Sequence, residues 1–166
     1  AAALIAALTS LPAAEVTGRG TGIDDDTLAR KTDIVAHAVA RLSTHAEPVE
    51  ILSEVGGFEI AALTGLIVGG AAAGVPVLID GAIAASAALV ACAAVPAAQG
   101  YLIAGHRSVE PGSGAALRHL HLQPLLDLDL RLGEGTGAIL ALPLVRAAAR
   151  VLREMATFDD AAVTEV

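Results

Sequence analysis

The sequence predicts a three-layer α/β fold, with a mainly parallel sheet and helices on both faces in a Rossmann-like arrangement. Two short apolar runs, residues 75–79 and 101–105, have the length of buried parallel strands, and the first is rich in β-branched residues. Ala- and Leu-rich segments of helical length lie before, between and after these runs. The 166 residues suffice for a sizeable core, so we assign residues 1–166 to a single α/β domain.

The composition limits which residue types can form the core and which classes of molecule the protein can bind. Hydrophobic residues make up 55% of the chain and aromatic residues 2%, so the core must be built from Ala, Val, Leu and Ile. The net charge of -8, without a Lys/Arg cluster, argues against nucleic acid, because phosphate backbones bind basic surfaces. The single Cys92 lies in an Ala/Val run, which predicts an inert buried thiol and a reducing, cytoplasmic setting.

A membrane-spanning segment is the main alternative for the apolar middle of the chain. Residues 60–79 carry no charge and are about long enough to cross a bilayer. Several glycines and Pro76 interrupt them, however, and they lack flanking basic residues and an aromatic belt. The N-terminus also lacks the positive segment of a signal peptide. We therefore predict no membrane association.

Each predicted helix follows from apolar residues at helical spacing and from residues that end the segment. Residues 1–8 form an Ala/Leu helix that begins without a cap, as if the chain had been cut from a longer one. The helix over residues 27–42 follows three aspartates, residues 24–26, which we interpret as N-terminal caps rather than a hard-metal site. Further helices are predicted over residues 47–54, 58–73, 82–95, 115–122 and 138–155.

The last predicted strand leads into the strongest candidate for a catalytic residue. Residues 126–132 alternate strictly between apolar and polar, as a half-buried strand or extended segment does, and a turn follows in which Gly133 and Gly135 flank Glu134. This arrangement places Glu134 at the carboxyl end of a strand and at a helix N-terminus, where open α/β folds bind ligands. The helix dipole favours a charged carboxylate that can accept a proton. The alternative is an ordinary helix-capping glutamate.

Polar residues also follow the other two predicted strands. Asp80 and Gly81 come directly after the first strand, and His106 and Ser108 follow the second. With Glu134, these strand ends should meet at one edge of the sheet, and this convergence is a stronger signal than any single motif. An Asp-Gly turn is the alternative for Asp80. A Ser108–His106–Asp80 triad is disfavoured because neither serine of this stretch lies in a nucleophile elbow.

The glycine-rich run of residues 18–22 is a candidate phosphate site. Gly18, Gly20 and Gly22 can present backbone N–H groups to a phosphate, with Lys31 nearby as a point charge. The run is neither a P-loop nor a dinucleotide fingerprint, and a flexible surface turn remains the alternative. No set of His, Cys and Asp residues has metal-ligand spacing, so we predict no metal and no cofactor.

Six segments of the chain are distinctive in combination: residues 18–25, 54–61, 77–81, 106–110, 132–138 and 154–158. Together they resemble the nicotinate-nucleotide–dimethylbenzimidazole phosphoribosyltransferase family, which makes the lower-ligand nucleotide of cobalamin. The resemblance covers nearly the whole chain in the family's order. Family chains are roughly twice as long, so the resemblance implies that this chain is a carboxyl-terminal half.

The resemblance implies a reaction and a set of site residues. A benzimidazole nitrogen would displace nicotinate from nicotinate mononucleotide, giving α-ribazole 5'-phosphate, with Glu134 as the general base and without a metal or cofactor. Lys31, the glycine run and Ser108 would hold the phosphate, and Asp80 and Gly81 would lie near the ribose and the nucleophile. The family resemblance also implies a homodimer. The substrate-binding residues implied are Gly18, Gly20, Gly22, Lys31, Asp80, Gly81, Ser108 and Gly133.

The chain departs from the family pattern at two positions. Ala82 replaces a bulky residue that is usual after Asp-Gly, and Ser113 stands where a histidine is common. Both can alter the shape of a pocket without changing the presumed base. Because half of the family chain is absent, we expect weak or no activity from these residues alone, and a non-catalytic nucleotide-binding fragment is the alternative function.

Overall fold

The computed structural model describes residues 1–157, 160 and 161, in which helices surround a small parallel sheet. The 3₁₀ segment and the short α2 were not predicted from the sequence. The elements in chain order are α1 (Ala2–Thr9), α2 (Ala13–Val16), α3 (Asp25–Ala40), α4 (Pro48–Val55), α5 (Phe58–Ala72), β1 (Val77–Ile79), α6 (Ala82–Ala94), a 3₁₀ helix (Pro96–Tyr101), β2 (Leu102–Ala104), α7 (Pro111–His119) and α8 (Thr136–Glu154).

The sheet consists of β1 and β2, paired in parallel so that Val77 lies opposite Leu102 and Ile79 opposite Ala104. The connection between them contains α6. Parallel strands require such a crossover, because the chain must return to the end of the sheet at which the first strand began. The predicted strands are therefore both present, although each is shorter than predicted. The α/β class is correct in this coarse sense: the described residues form a helix-rich α/β unit with a two-stranded sheet.

The prediction of a regular third strand over residues 126–132 is wrong. Leu126 forms one parallel bridge with His106, so the segment begins as an extension of the sheet. The backbone N–H of Leu128 then donates to the His106 imidazole instead of a strand carbonyl, at 3.1 Å. Asp129 has a φ of 54°, in the left-handed region that ends an extended strand. The apolar alternation is present, but the imidazole of His106 replaces the backbone carbonyl that would accept the Leu128 N–H in a regular strand.

The core is centred on α6, whose residues from Ala85 to Cys92 are all buried. A helix that is apolar on every side belongs inside a domain, and small side chains let its neighbours approach closely. α6 packs against α1, α4, α5 and α7 as well as the sheet. Cys92 is a buried free thiol, as the sequence predicted, and its burial raises the pKa of the thiol. The low aromatic content is thus accommodated by close helix packing.

The apolar middle of the chain is divided between two elements. α5 ends at Ala72, Gly74 adopts a φ of 70°, and β1 begins at Val77. Among the residues that the structure describes, no helix combines the length and the apolar character needed to cross a bilayer.

One predicted helix is displaced by about one turn towards the N-terminus. The helix predicted over residues 115–122 begins at Pro111 and ends at His119. Proline is suited to the first helical turn because its fixed φ matches the helix and its missing N–H needs no partner there. A Cβ on Gly112 would lie 2.7 Å from the Val16 carbonyl oxygen, so this glycine permits α7 to pack closely against α2. The other predicted helices agree with the structure to within two residues.

Asp24 is the N-cap of α3, which confirms the predicted capping role for this residue, and Asp25 and Asp26 lie in the first helical turn. Oδ1 of Asp24 accepts a hydrogen bond from the N–H of Thr27 at 2.8 Å. Hydrogen bonding to Thr27, first to its side chain and then to its backbone N–H, lowers the pKa of Asp24 below its ordinary value. The charged form of Asp24 therefore stabilises the start of α3.

We expect Asp24→Ala to lower the melting temperature at pH 7 by on the order of a few degrees. The folded-state pKa is lowered, so this stabilisation is present above the unfolded pKa of about 4 and is lost as the pH falls through the folded value. Thermal melts between pH 7 and pH 2 should show the two proteins converging. The control is Asp26→Ala, which removes the same charge from the same turn, and an equal loss in both variants would contradict a capping bond.

Candidate active site

The N-terminus of α8 packs on the carboxyl ends of the two strands. The N–H of Gly137 donates to Asp80 Oδ2 at 3.3 Å. A Cβ on Gly137 would overlap both Cβ of His106 and Oδ1 of Asp80, so no larger residue fits this contact. Gly105, directly after β2, is also close to α8, because a Cβ there would be 2.9 Å from Cα of Ala138. The two strand ends and the start of α8 therefore meet, as the sequence predicted for Asp80 and His106.

Asp80 is buried, and its carboxylate faces the first turn of α8. A negative charge at this point complements the helix dipole and satisfies an N–H that has no partner within the helix. Gly81 follows as the N-cap of α6, with an extended backbone and open space where a Cβ would lie. Asp80 thus attaches α8 to the sheet, which is a more definite role than the simple Asp-Gly turn considered from the sequence.

His106 and Ser108 are held by separate hydrogen bonds. The His106 side chain is 1% exposed, and its Nε2 accepts the N–H of Leu128, which places the proton of a neutral imidazole on Nδ1. Ser108 Oγ accepts the backbone N–H of Glu110 at 3.3 Å. Within the described chain no hydrogen bond joins Ser108 to His106, so this geometry does not provide the nucleophile–base contact of a triad.

Glu134 lies in a turn of three consecutive residues with left-handed backbone. The φ angles are 78° for Gly133, 57° for Glu134 and 80° for Gly135. Glycine adopts this conformation freely, but a glutamate in it carries a strain of about 1–2 kcal/mol, which is typical of functional positions. The N-cap of α8 is Gly135, and α8 has no side-chain capping bond. The capping alternative for Glu134 is therefore wrong, and the carboxylate is exposed to solvent.

The glycine-rich run contacts Lys31 and also Glu110, which was not predicted as a site residue. Lys31, on α3, donates from Nζ to the carbonyl oxygen of Gly18 at 2.6 Å. The N–H of Gly20 donates to Oε1 of Glu110 at 2.8 Å. The N–H of Gly22 donates to the carbonyl of Arg19 at 3.1 Å. Two of the three glycine N–H groups therefore already have acceptors.

The segment of residues 106–110 connects these two parts of the site. His106, at its start, contacts the beginning of α8, and Glu110, at its end, contacts the glycine run. Ser108 lies between them and is half-buried. The structure thus brings Asp80, His106 and the N-terminus of α8 into one group, and Lys31, the glycine run and Glu110 into a second, with Ser108 on the segment shared by both.

This candidate site is an open rim in the part of the chain that the structure describes. Two cavities, of about 270 Å³ and 230 Å³, lie beside α7, and neither is lined by Glu134, Asp80 or Lys31. Between residues 1 and 157, and at 160 and 161, no group of three or more His, Cys, Asp or Glu side chains is arranged to hold a metal ion.

The fold and the rim define a class: an α/β protein with a solvent-exposed carboxylate on a glycine turn, and with a lysine and a hydroxyl elsewhere on the rim that suit an anionic ligand. A family model described as phosphoribosyltransferase matches residues 1–163. The chain belongs to this family, the nicotinate-nucleotide–dimethylbenzimidazole phosphoribosyltransferases, as its motifs predicted.

Relatives with that enzyme name match over 166 residues. The chain is 59% identical to the one from Salinispora tropica, covering 99% of this chain and 46% of the relative. It is 55% identical to the one from Chloroflexus aurantiacus, covering 99% and 47%. The crystal structure of CobT from Thermus thermophilus matches with a TM-score of 0.93 and 50% identity, over 99% of this chain and 49% of that one. The chain thus spans about half the length of these relatives.

Proposed function

We propose that the complete protein containing this chain transfers the phosphoribosyl group of nicotinate mononucleotide to 5,6-dimethylbenzimidazole. The products are α-ribazole 5'-phosphate and nicotinate. Family membership and relatives named for this reaction support the substrates. The observation that carries the chemistry is the exposed carboxylate of Glu134, held in a strained turn between two glycines and free of a capping role.

The reaction needs one proton acceptor and accurate positioning. The lone pair of a benzimidazole nitrogen forms a bond to the anomeric carbon, and the bond to nicotinate breaks with its electrons moving onto the pyridine nitrogen. Attack from the opposite face inverts the anomeric carbon. The N–H proton of the attacking base passes to Glu134, which acts as the general base. Because nicotinate is a good leaving group, positioning and one base supply the required rate enhancement.

We assign the phosphate to Lys31 and Ser108. The Lys31 ammonium has three N–H donors, and its bond to the Gly18 carbonyl uses one of them. Gly18, Gly20 and Gly22 shape the loop beside it, although the N–H groups of Gly20 and Gly22 have acceptors within the chain.

The sugar and the incoming base belong to the other half of the rim. Asp80 and Gly81 lie at the end of β1, and Gly133 begins the turn that carries Glu134. We assign these residues to the ribose and the incoming base, without a metal or other cofactor.

The apolar surface of α8 supports a larger assembly. Only Gly137 and Ala141 of this helix are buried, whereas Leu152 is 88% exposed. Apolar patches of this kind mark surfaces that another element covers. We propose that residues 1–166 act as the carboxyl-terminal domain of a cytoplasmic homodimer, in which further chain completes a three-layer, Rossmann-like sheet. The exposed apolar residues of α8 and its end are Ile139, Leu140, Leu144, Val151, Leu152 and Met155.

The test is turnover of the purified protein with both substrates. Chromatography should show α-ribazole 5'-phosphate and nicotinate appearing in equal amounts. A second candidate function, non-catalytic nucleotide binding, is favoured by the open rim of this half-length chain. Calorimetric binding of nicotinate mononucleotide without product at high benzimidazole concentration would support that function and contradict phosphoribosyl transfer.

A further inference from the structure

The carboxylate of Glu110 contacts the glycine-rich run at Gly18 and Gly20. Its Oε1 accepts the N–H of Gly20 at 2.8 Å across 90 residues of sequence. A Cβ on Gly18 would overlap Oε2 of Glu110 and would lie 2.7 Å from its Cδ and 2.8 Å from Cδ of Pro111. Gly18 is itself buried, so the carboxylate packs against a part of the loop that is enclosed by the rest of the protein. The shape of the loop therefore depends on Glu110.

The same residue is connected to both groups proposed to hold the phosphate. The carboxylate packs against Gly18. The carbonyl oxygen of Gly18 accepts a hydrogen bond from the Lys31 ammonium at 2.6 Å. The backbone N–H of Glu110 donates to Ser108 Oγ at 3.3 Å. Glu110 thus fixes Lys31 through the loop and Ser108 directly. Within the described residues it forms no ion pair with Lys31, so the ammonium keeps its charge available for an anion.

We propose that Glu110 is the positioning residue of the phosphate subsite. It holds the glycine loop so that Lys31 and Ser108 converge on the phosphate of the nucleotide, and it does so without touching the substrate. The N–H of Gly20 then serves the fold rather than the ligand. This inference rests on the proposed function for the identity of the ligand, but the contact between Glu110 and Gly20 exists without it.

The kinetic test compares Glu110→Ala with Glu110→Gln in the protein at its full natural length. Glutamine retains an oxygen that can accept the Gly20 N–H, whereas alanine removes it. We expect Glu110→Ala to raise KM for nicotinate mononucleotide about tenfold with kcat within about twofold, since loss of substrate binding alone raises KM. Glu110→Gln should stay within about threefold of the wild type in both constants. The control is Glu15→Ala, an exposed glutamate on the neighbouring α2.

A second readout needs no substrate. Amide hydrogen exchange of Gly20, followed by NMR, should be slow in the wild type and in Glu110→Gln and faster in Glu110→Ala. An unchanged KM in Glu110→Ala would overturn the proposal, as would a lower KM, which would mean that the carboxylate competes with the phosphate for Gly20. If the wild type shows no turnover, the proposed function fails separately, and unchanged Gly20 exchange in Glu110→Ala would then overturn the positioning role.

Discussion

Glu134→Gln should lower kcat by about 10²–10⁴-fold, the contribution of a positioned general base, and should change KM for either substrate by about threefold at most. Glutamine matches glutamate in size but cannot take the proton of the incoming benzimidazole. The carboxylate is exposed and does not cap α8, so its replacement removes no stabilising contact within the described residues. The loss should therefore appear in the chemical step, measured as the steady-state rate of α-ribazole 5'-phosphate formation.

Glu154→Gln provides the matched control for this variant. Glu154 is the last residue of α8, where it is ion-paired with Arg150 at 3.0 Å, so the substitution removes the same charge at the far end of the helix that the Glu134 turn precedes. An exposed pair of this kind contributes little to stability, and turnover should stay within about twofold. Equal activity in Glu134→Gln and the wild type would remove Glu134 as the base and require another proton acceptor on the rim.

The parts of the site that follow from local sequence were predictable. The glycines around Glu134 signalled a turn at the start of a helix, and Asp80-Gly81 signalled the end of a strand. These signals depend on neighbouring residues, and the structure contains α8 and β1 where they predicted a helix and a strand. The proposed substrates came from the resemblance carried by the combination of motifs, because no spacing of residues encodes nicotinate or benzimidazole.

The parts that failed depend on contacts between distant segments. Glu110 reaches Gly20 across 90 residues, and nothing in the spacing of either residue points to the other. The strict alternation of residues 126–132 is the local pattern of a strand, but the strand does not form. The His106 imidazole accepts the N–H of Leu128 in place of a backbone carbonyl. The start of α7, by contrast, could have been predicted from the local sequence, because Pro111 suits a first helical turn.

Gly137→Ala should lower the free energy of unfolding by roughly 2 kcal/mol, although alanine has the higher helix propensity. Alanine in place of glycine within a helix is normally favourable by about 1 kcal/mol. At Gly137, however, the new Cβ would overlap the His106 Cβ and the Asp80 carboxylate, both of which are buried at the strand ends. Overpacking of this kind costs about 1–3 kcal/mol, and displacing α8 would also lengthen the Asp80 hydrogen bond. The packing cost exceeds the gain in propensity.

Gly65→Ala separates the two effects, because Gly65 lies inside α5 with open space where its Cβ would be. Urea denaturation should show this control as stable as the wild type or more so, by up to about 1 kcal/mol, while Gly137→Ala unfolds at lower urea. Turnover of Gly137→Ala under folding conditions should also fall, since lifting α8 moves the Glu134 turn away from Asp80. If Gly137→Ala matched Gly65→Ala in stability, the close contact of α8 with the strand ends would be wrong, and with it the mechanism that places Glu134 at this rim.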